Sequence, residues 1–225
     1  MPNTPDRQTP AKMPRRRLYQ FSLRALLIFV TLAGCGFGWL GWRIREAREQ
    51  QAAVAAIQKL GGYVTYDYQI PYSGTYELRT EPRAPVWLRA VLGDDFFRTV
   101  KAVSFYGTSA TDSDLECLKP FSELASLCLS PNMTDAGLCS VKRLPGLEDL
   151  TLCGTNITDE GLKHLAEFPR LGFLSFYNAR LTEAGVEQLK RSTQLVAITL
   201  TNTVEPETGW RSLRGALPDC EIWRK

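Results

Sequence analysis

LEDLTLCGTNITDEGLKHLAEFPR, residues 147–170, is followed by LGFLSFYNARLTEAGVEQLKRSTQ, residues 171–194. Laid over each other, the two segments share apolar residues at offsets 1, 4 and 6: Leu147, Leu150 and Leu152, then Leu171, Leu174 and Phe176. Offsets 4 and 6 differ by two, the side-chain period of a β-strand, so both residues leave the same side of a short strand. A second apolar pair follows three apart, Leu162 with Leu165 and Val186 with Leu189, which is one face of a short helix. Thr158-Asp159 and Thr182-Glu183 precede those helices, where a hydroxyl or carboxylate satisfies free backbone N–H groups.

The template extends in both directions. Upstream it is carried by VKAVSFYGTSATDSDLECLKPFSE (100–123) and LASLCLSPNMTDAGLCSVKRLPG (124–146), and downstream by LVAITLTNTVEPETGWRSLRGALP (195–218). The first four units are 24, 23, 24 and 24 residues long. The helix rows continue as Leu138 and Trp210, and as Leu118, Val141 and Leu213; Thr134-Asp135 repeats the helix start. Gly137, Gly161, Gly185 and Gly209 fall at one register, which predicts a close approach between each helix and a neighbouring turn. One unit cannot bury its own apolar face, so the units must stack and fold together.

Five registers in a row resemble the leucine-rich-repeat pattern, over about residues 98–223. The likeness is to the Thr-Asp-x-Gly-Leu subtype of bacterial repeat proteins, often found behind one membrane helix. It implies an α/β leucine-rich-repeat solenoid of about five repeats of ~24 residues, behind one N-terminal transmembrane helix and a small α+β cap. There are departures. The usual Asn/Cys turn position holds Thr108, Thr155, Ala179 and Thr203, so an asparagine ladder is not expected. Asp114 replaces glycine in the first unit, Glu205-Pro206-Glu207 interrupts the last, and Cys220-Glu221-Ile222-Trp223 is expected to add a closing strand.

A solenoid of this kind presents its outward strand side chains as a concave surface. At offset 5 these are Ser104, Cys128, Thr151, Ser175 and Thr199. At offset 7 they are Tyr106, Ser130, Cys153, Tyr177 and Thr201, and at offset 3 Ala102, Ser126, Asp149, Phe173 and Ala197. The candidate binding surface is Tyr106, Phe173 and Tyr177 with the acids Glu148 and Asp149, because tyrosine and other aromatics dominate binding hot spots. A purely structural reading, in which the aromatics shield the sheet, stays open. The partner class is an unknown protein or ligand on the concave strand face.

Enzyme chemistry is not expected. A hydrolytic triad needs a base held against a nucleophile, and the single histidine, His164, is placed with Lys163 on the repeat's helix, away from the strands. No phosphate-binding glycine loop is present, and the six cysteines (35, 117, 128, 139, 153, 220) include no C-x-x-C pair, so neither a metal nor a cofactor is expected. Free, mostly buried thiols are expected. Asp94-Asp95-Phe96-Phe97 holds an acidic pair, but adjacent carboxylates diverge on most backbones.

Upstream of the repeats, residues 44–99 read as a juxtamembrane helix, REAREQQAAVAAIQKL, stopped by Gly61-Gly62, and then a cap. The cap is expected to be a hairpin of YVTYDYQ and TYELRT, with a short helix after Pro85 carrying Trp87, Leu88, Val91 and Leu92.

Residues 25–42, ALLIFVTLAGCGFGWLGW, carry no charge. As a helix they span roughly 27 Å, enough for a membrane anchor assigned to residues 18–43. Six cations lie upstream and three immediately downstream, which favours a cytoplasmic N-terminus with the repeats outside the cytoplasm, in a bacterial cell envelope. Rival readings of this stretch are a cleaved signal peptide, a buried core helix, and a lipobox, Leu32-Ala33-Gly34-Cys35, that would make Cys35 a lipidated N-terminus. The apolar run continues past Cys35 to Trp42, which favours the uncleaved anchor. Gly34 and Gly38 form a G-x-x-x-G pair that would suit a weak helix–helix dimer. Residues 1–17 are basic and, with four prolines in the first fourteen residues, are expected to form a disordered cytoplasmic tail; Met1 or Met13 is the start.

Composition bounds these readings. At 225 residues with 44% hydrophobic and 23% charged, the chain is neither wholly disordered nor a polytopic membrane protein. The net charge of +3 is uneven: residues 1–50 hold nine Lys/Arg against three Asp/Glu, and the remainder hold eighteen against twenty-one. A nucleic-acid-binding repeat domain, which needs an excess of cations, is therefore not expected. Two roles remain: a membrane-anchored interaction module, or a structural envelope component without a dedicated ligand.

Overall fold

The computed structural model describes residues 23–69, 85–87, 89, 93, 98–154, 156–204 and 209–224. The chain divides at Trp42/Arg43 into two units. The protein is α/β, with one long N-terminal apolar helix and a seven-stranded sheet.

Helix α1 runs over Leu23–Lys59. It is long and apolar enough to span a membrane or serve as a signal anchor, with a mean hydropathy of 1.4 over its most apolar window. Leu27, Phe29, Leu32, Phe37 and Trp39 are exposed, and so is Cys35. Gly34 and Gly38 have no atom near the place of a Cβ, so that edge of the helix is open. At its C-terminal end α1 stops where glycine allows a left-handed turn. Gly61 has φ +80°, its N–H bonds to Gln58, and the Gly62 N–H reaches back to the Ile57 carbonyl at 2.9 Å. Ala53 and Ile57 are buried in the core of the second unit.

The strands run in chain order: β1 Tyr63–Tyr66, β2 Val100–Ser104, β3 Ser126–Leu129, β4 Asp149–Cys153, β5 Phe173–Tyr177, β6 Ala197–Thr201 and β7 Glu221–Arg224. β1 pairs antiparallel with β2, and every later pair is parallel. The structure thus gives YVTY a partner in β2. The proposed hairpin partner TYELRT lies outside the described residues, as do Asp94–Phe97. After Pro85, Val86 and Trp87 are helical and exposed, while Leu88, Val91 and Leu92 also lie outside.

Parallel register places like residues side by side. Val103, Leu127, Leu150, Leu174, Ile198 and Ile222 form one row across the sheet. Leu129, Leu152, Phe176 and Leu200 form a second, and both rows bury toward the helices apart from half-buried Ile222. Burying one such side chain contributes about 1.5–3 kcal/mol, so the rows are the main source of cohesion.

The connections are a 3-10 helix over Asp112–Leu118, α2 Asp135–Val141, α3 Asp159–Leu162 continued by a 3-10 turn over Lys163–Glu167, α4 Glu183–Leu189 and α5 Gly209–Ala216. Their buried residues, Leu115 and Leu118, Leu138 and Val141, Leu162 and Leu165, Val186 and Leu189, close the core from the other side. Thr134, Thr158 and Thr182 cap α2, α3 and α4, their hydroxyls accepting the N–H of Ala136, Glu160 and Gly185.

The register glycines have a specific cause. A Cβ at Gly137, Gly161 or Gly185 would overlap the carboxylate of Asp112, Asp135 or Asp159 in the preceding unit. At the glycine register of the first unit, Asp114 turns back to accept the Thr111 N–H at 2.8 Å. The chain leaves four strands through a left-handed residue at Gly107, Gly154, Asn178 and Asn202. The second unit, one residue shorter, has Pro131 at that place, where positive φ is forbidden.

Candidate functional site

The sheet has one face under the helices and one open face. Residues between the core rows reach the open face because strand side chains alternate. Its central row is Tyr63, Ser104, Cys128, Thr151, Ser175, Thr199 and Trp223, aligned by strand pairing. A second row is Thr65, Ala102, Ser126, Asp149, Phe173, Ala197 and Glu221.

The candidate aromatics are exposed, Tyr106 at 61%, Phe173 at 50% and Tyr177 at 38%, but they do not form one cluster. Tyr106 follows β2, whereas Phe173 and Tyr177 lie on β5, three strand spacings or about 14 Å away. Between them β3 and β4 present only Ser126, Cys128, Thr151 and Asp149, so the aromatics flank a floor of small side chains. Two further exposed aromatics bound the same face, Tyr63 at 72% and Trp223 at 54%. Sequence reading missed both as site residues. Trp223 was visible as part of the closing strand, but Tyr63 joins the face only because β1 pairs with β2.

Of the two acids, Glu148 is exposed in the turn before β4. Its carbonyl accepts the N–H groups of Gly172 and Phe173, both at 2.9 Å, so its backbone fixes the entry of β5. Asp149 is half-buried on the face and its Oδ2 accepts the Ser126 hydroxyl at 3.3 Å. Burial raises the Asp149 carboxyl above its ordinary range, with the Ser126 hydrogen bond opposing that shift.

Two offset-7 residues are not surface residues. Ser130 is fully buried, with its hydroxyl on the Ala110 carbonyl at 2.5 Å, and it belongs to the unit that turns at Pro131. Cys153 is 5% exposed and packs against Cys128, with the sulfur atoms 3.4 Å apart. Nor are the cysteines mostly buried. All six are free; Cys153 and Cys220 are buried, Cys117, Cys128 and Cys139 are half-buried, and Cys35 is exposed.

His164 stands on the 3-10 turn after α3, its Nδ1 2.6 Å from Glu167 Oε1. That contact and Lys142 hold the Glu167 carboxyl below its ordinary range. Among the described residues no group of three or more His, Cys, Asp or Glu side chains could hold a metal ion.

The open face and repeated strand–helix units define the class: an α/β protein with a mostly parallel sheet built from repeated units. No protein-family model matches the chain, and no curated protein matches it. Among solved structures it is similar to one described as the crystal structure of the TLR13-ssRNA13 complex, at 23% identity and a TM-score of 0.37. That match covers 48% of this chain and 17% of the other.

Proposed function

We propose that the chain is a membrane-anchored leucine-rich-repeat solenoid whose open sheet face binds a protein ligand outside the cytoplasm, without catalysis. The supporting observation is the floor of small hydroxyl and thiol side chains flanked by exposed aromatics. Aromatic side chains contribute large contact area with little entropy loss, and a floor of small residues lets a partner approach the sheet. α1 supplies the anchor through residues 25–42, with the cation excess of residues 1–24 keeping the N-terminus in the cytoplasm. The protein carries no histidine on the open face.

The test is site-specific photo-crosslinking in native membranes, with the photoreactive residue at Thr151 or Ser175, and at Glu187 on the helix side as comparison. A discrete adduct from the face positions, lost on Phe173→Ala or Tyr177→Ala, supports the reading. Equal adducts from Glu187, or none from the face, overturns it in favour of an envelope component that only spaces or stacks. Reporter fusions after Gln50 should be active only outside the cytoplasm; cytoplasmic activity would reject the proposed orientation.

A further inference from the structure

Two reactive groups lie in contact at the open side of the sheet, Cys128 on the floor of the face and Cys153 buried against it. Cys128 lies on β3 in register with Ser104 and Thr151, and Cys153 on β4 in register with Tyr177. Both project to the same side of the sheet on neighbouring strands, and their sulfur atoms are 3.4 Å apart. That separation lies within the ~3–3.5 Å of a near-attack pair, and closing it to a disulfide draws the two sulfur atoms together to ~2.05 Å.

We propose that Cys128 and Cys153 form a reversible redox dithiol, closed to an intramolecular disulfide between adjacent repeats by exchange with a low-molecular-weight disulfide such as oxidised glutathione. The two thiols are unequal in a way that orders the steps. Cys128 is half-buried among small neighbours, so a small disulfide reaches it, whereas Cys153 is sealed. A hydrogen bond from Cys153 and another from Ser104 stabilise the Cys128 thiolate and lower its pKa, against burial and the nearby Asp149 charge. The same contact raises the pKa of Cys153, whose S–H donates to the Cys128 thiolate, with burial adding to the effect.

In the first step the Cys128 thiolate attacks one sulfur of the oxidant. The oxidant's S–S bond breaks, a mixed disulfide forms, and one small thiolate leaves and takes up a proton. Capping Cys128 removes its negative charge and its hydrogen-bond acceptance, two of the causes that kept Cys153 protonated, and leaves burial as the remaining one. Cys153 then loses its proton to solvent and attacks the Cys128 sulfur, expelling the second small thiolate. Two electrons pass to the oxidant, which becomes two thiols. The product joins β3 to β4 across the floor between Tyr106 and Tyr177 and removes the Cys128 thiol from it. The other cysteines lack this arrangement: burial and Asp114 push the Cys117 thiol up to about 11, and burial raises Cys220.

The experiment equilibrates the full chain, reduced and in detergent micelles, with mixtures of oxidised and reduced glutathione. Remaining thiols are then alkylated and each cysteine is mapped by peptide mass spectrometry. The expected result is a Cys128–Cys153 disulfide that reopens with reduced glutathione, while Cys117 and Cys220 stay alkylatable. Cys153→Ser should arrest the reaction as a glutathionyl adduct on Cys128, and Cys153→Ala should do the same if the serine variant unfolds. Cys128→Ser should leave Cys153 unmodified, with unchanged circular dichroism confirming the fold. An inert S–H···S contact would give no disulfide at any ratio, and that outcome overturns the proposal. So does loss of the free Cys128 thiol no faster than that of Cys117 in the parent chain.

Discussion

The carboxylate of Asp135 spans two repeats to hold Thr158: Oδ1 accepts the Thr158 N–H at 2.8 Å and Oδ2 accepts its hydroxyl at 2.6 Å. Asp112 holds Thr134 in the same way at 2.9 and 2.6 Å, and Asp159 accepts the Thr182 hydroxyl at 2.8 Å. Each Thr hydroxyl in turn caps its own helix, so one chain of hydrogen bonds links successive helix starts. Asp135→Ala should lower stability by about 1 kcal/mol, the usual net value of such a bond at an exposed site. Gly161→Ala should be damaging in the parent but much less so beside Asp135→Ala, because the added methyl then meets no carboxylate. A double-mutant cycle by thermal unfolding measures this, and additive effects would refute the steric account.

The strand register makes a sharper demand. Leu150 and Leu152 are fully buried, with Thr151 half-buried between them on the open face. Leu150→Ala and Leu152→Ala should each cost about 2–5 kcal/mol through lost burial and a cavity. Thr151→Ala should stay within about 0.5 kcal/mol. Chemical denaturation of the three variants gives the order, and an equal loss for Thr151→Ala contradicts the register.

Ser192 occupies the core at zero exposure, and its hydroxyl has no hydrogen-bond partner among the described residues. In the preceding units that register holds Phe121, Leu144 and Phe168, all buried. Ser192→Ala removes a desolvated hydroxyl, so the melting temperature should rise, by an amount corresponding to about 1 kcal/mol. A fall in melting temperature would show that the hydroxyl is hydrogen-bonded in solution.

Asp149 sets a pH dependence. Its folded-state pKa is raised by burial, so the folded state favours the neutral acid. Above that pKa the charge is carried at a cost, and this cost disappears as pH falls through it. Asp149→Asn should therefore raise the midpoint of unfolding at neutral pH, with the gain shrinking as the medium is acidified into the carboxylate range. A gain that is constant from pH 7 to 4 would remove the carboxyl from the explanation.

Periodicity determined the strands, the helix faces and the threonine starts, because each is encoded within a few residues of itself. The period-two spacing of Leu150 and Leu152 has one strand solution, and the three-residue spacing of Leu162 and Leu165 sets one helix face. The uncharged run from Ala25 to Trp42 is likewise readable alone, since length and apolarity are local properties.

What only the tertiary structure decided are contacts whose partners lie one repeat or more away. The glycine register was visible, but not that Asp135 fills the space a Cβ would take at Gly161. Tyr63 enters the open face through an antiparallel pairing with Ser104, forty-one residues away in the chain, which no local pattern announces. Ser130 and Cys153 share an offset with Tyr106 and Tyr177, yet both are buried, Ser130 in the unit that turns at proline and Cys153 against Cys128. The identity of a repeat position specifies a direction from the strand. Stacking decides what it meets there, because burial depends on the neighbouring unit's side chains and on the turn that delivers them.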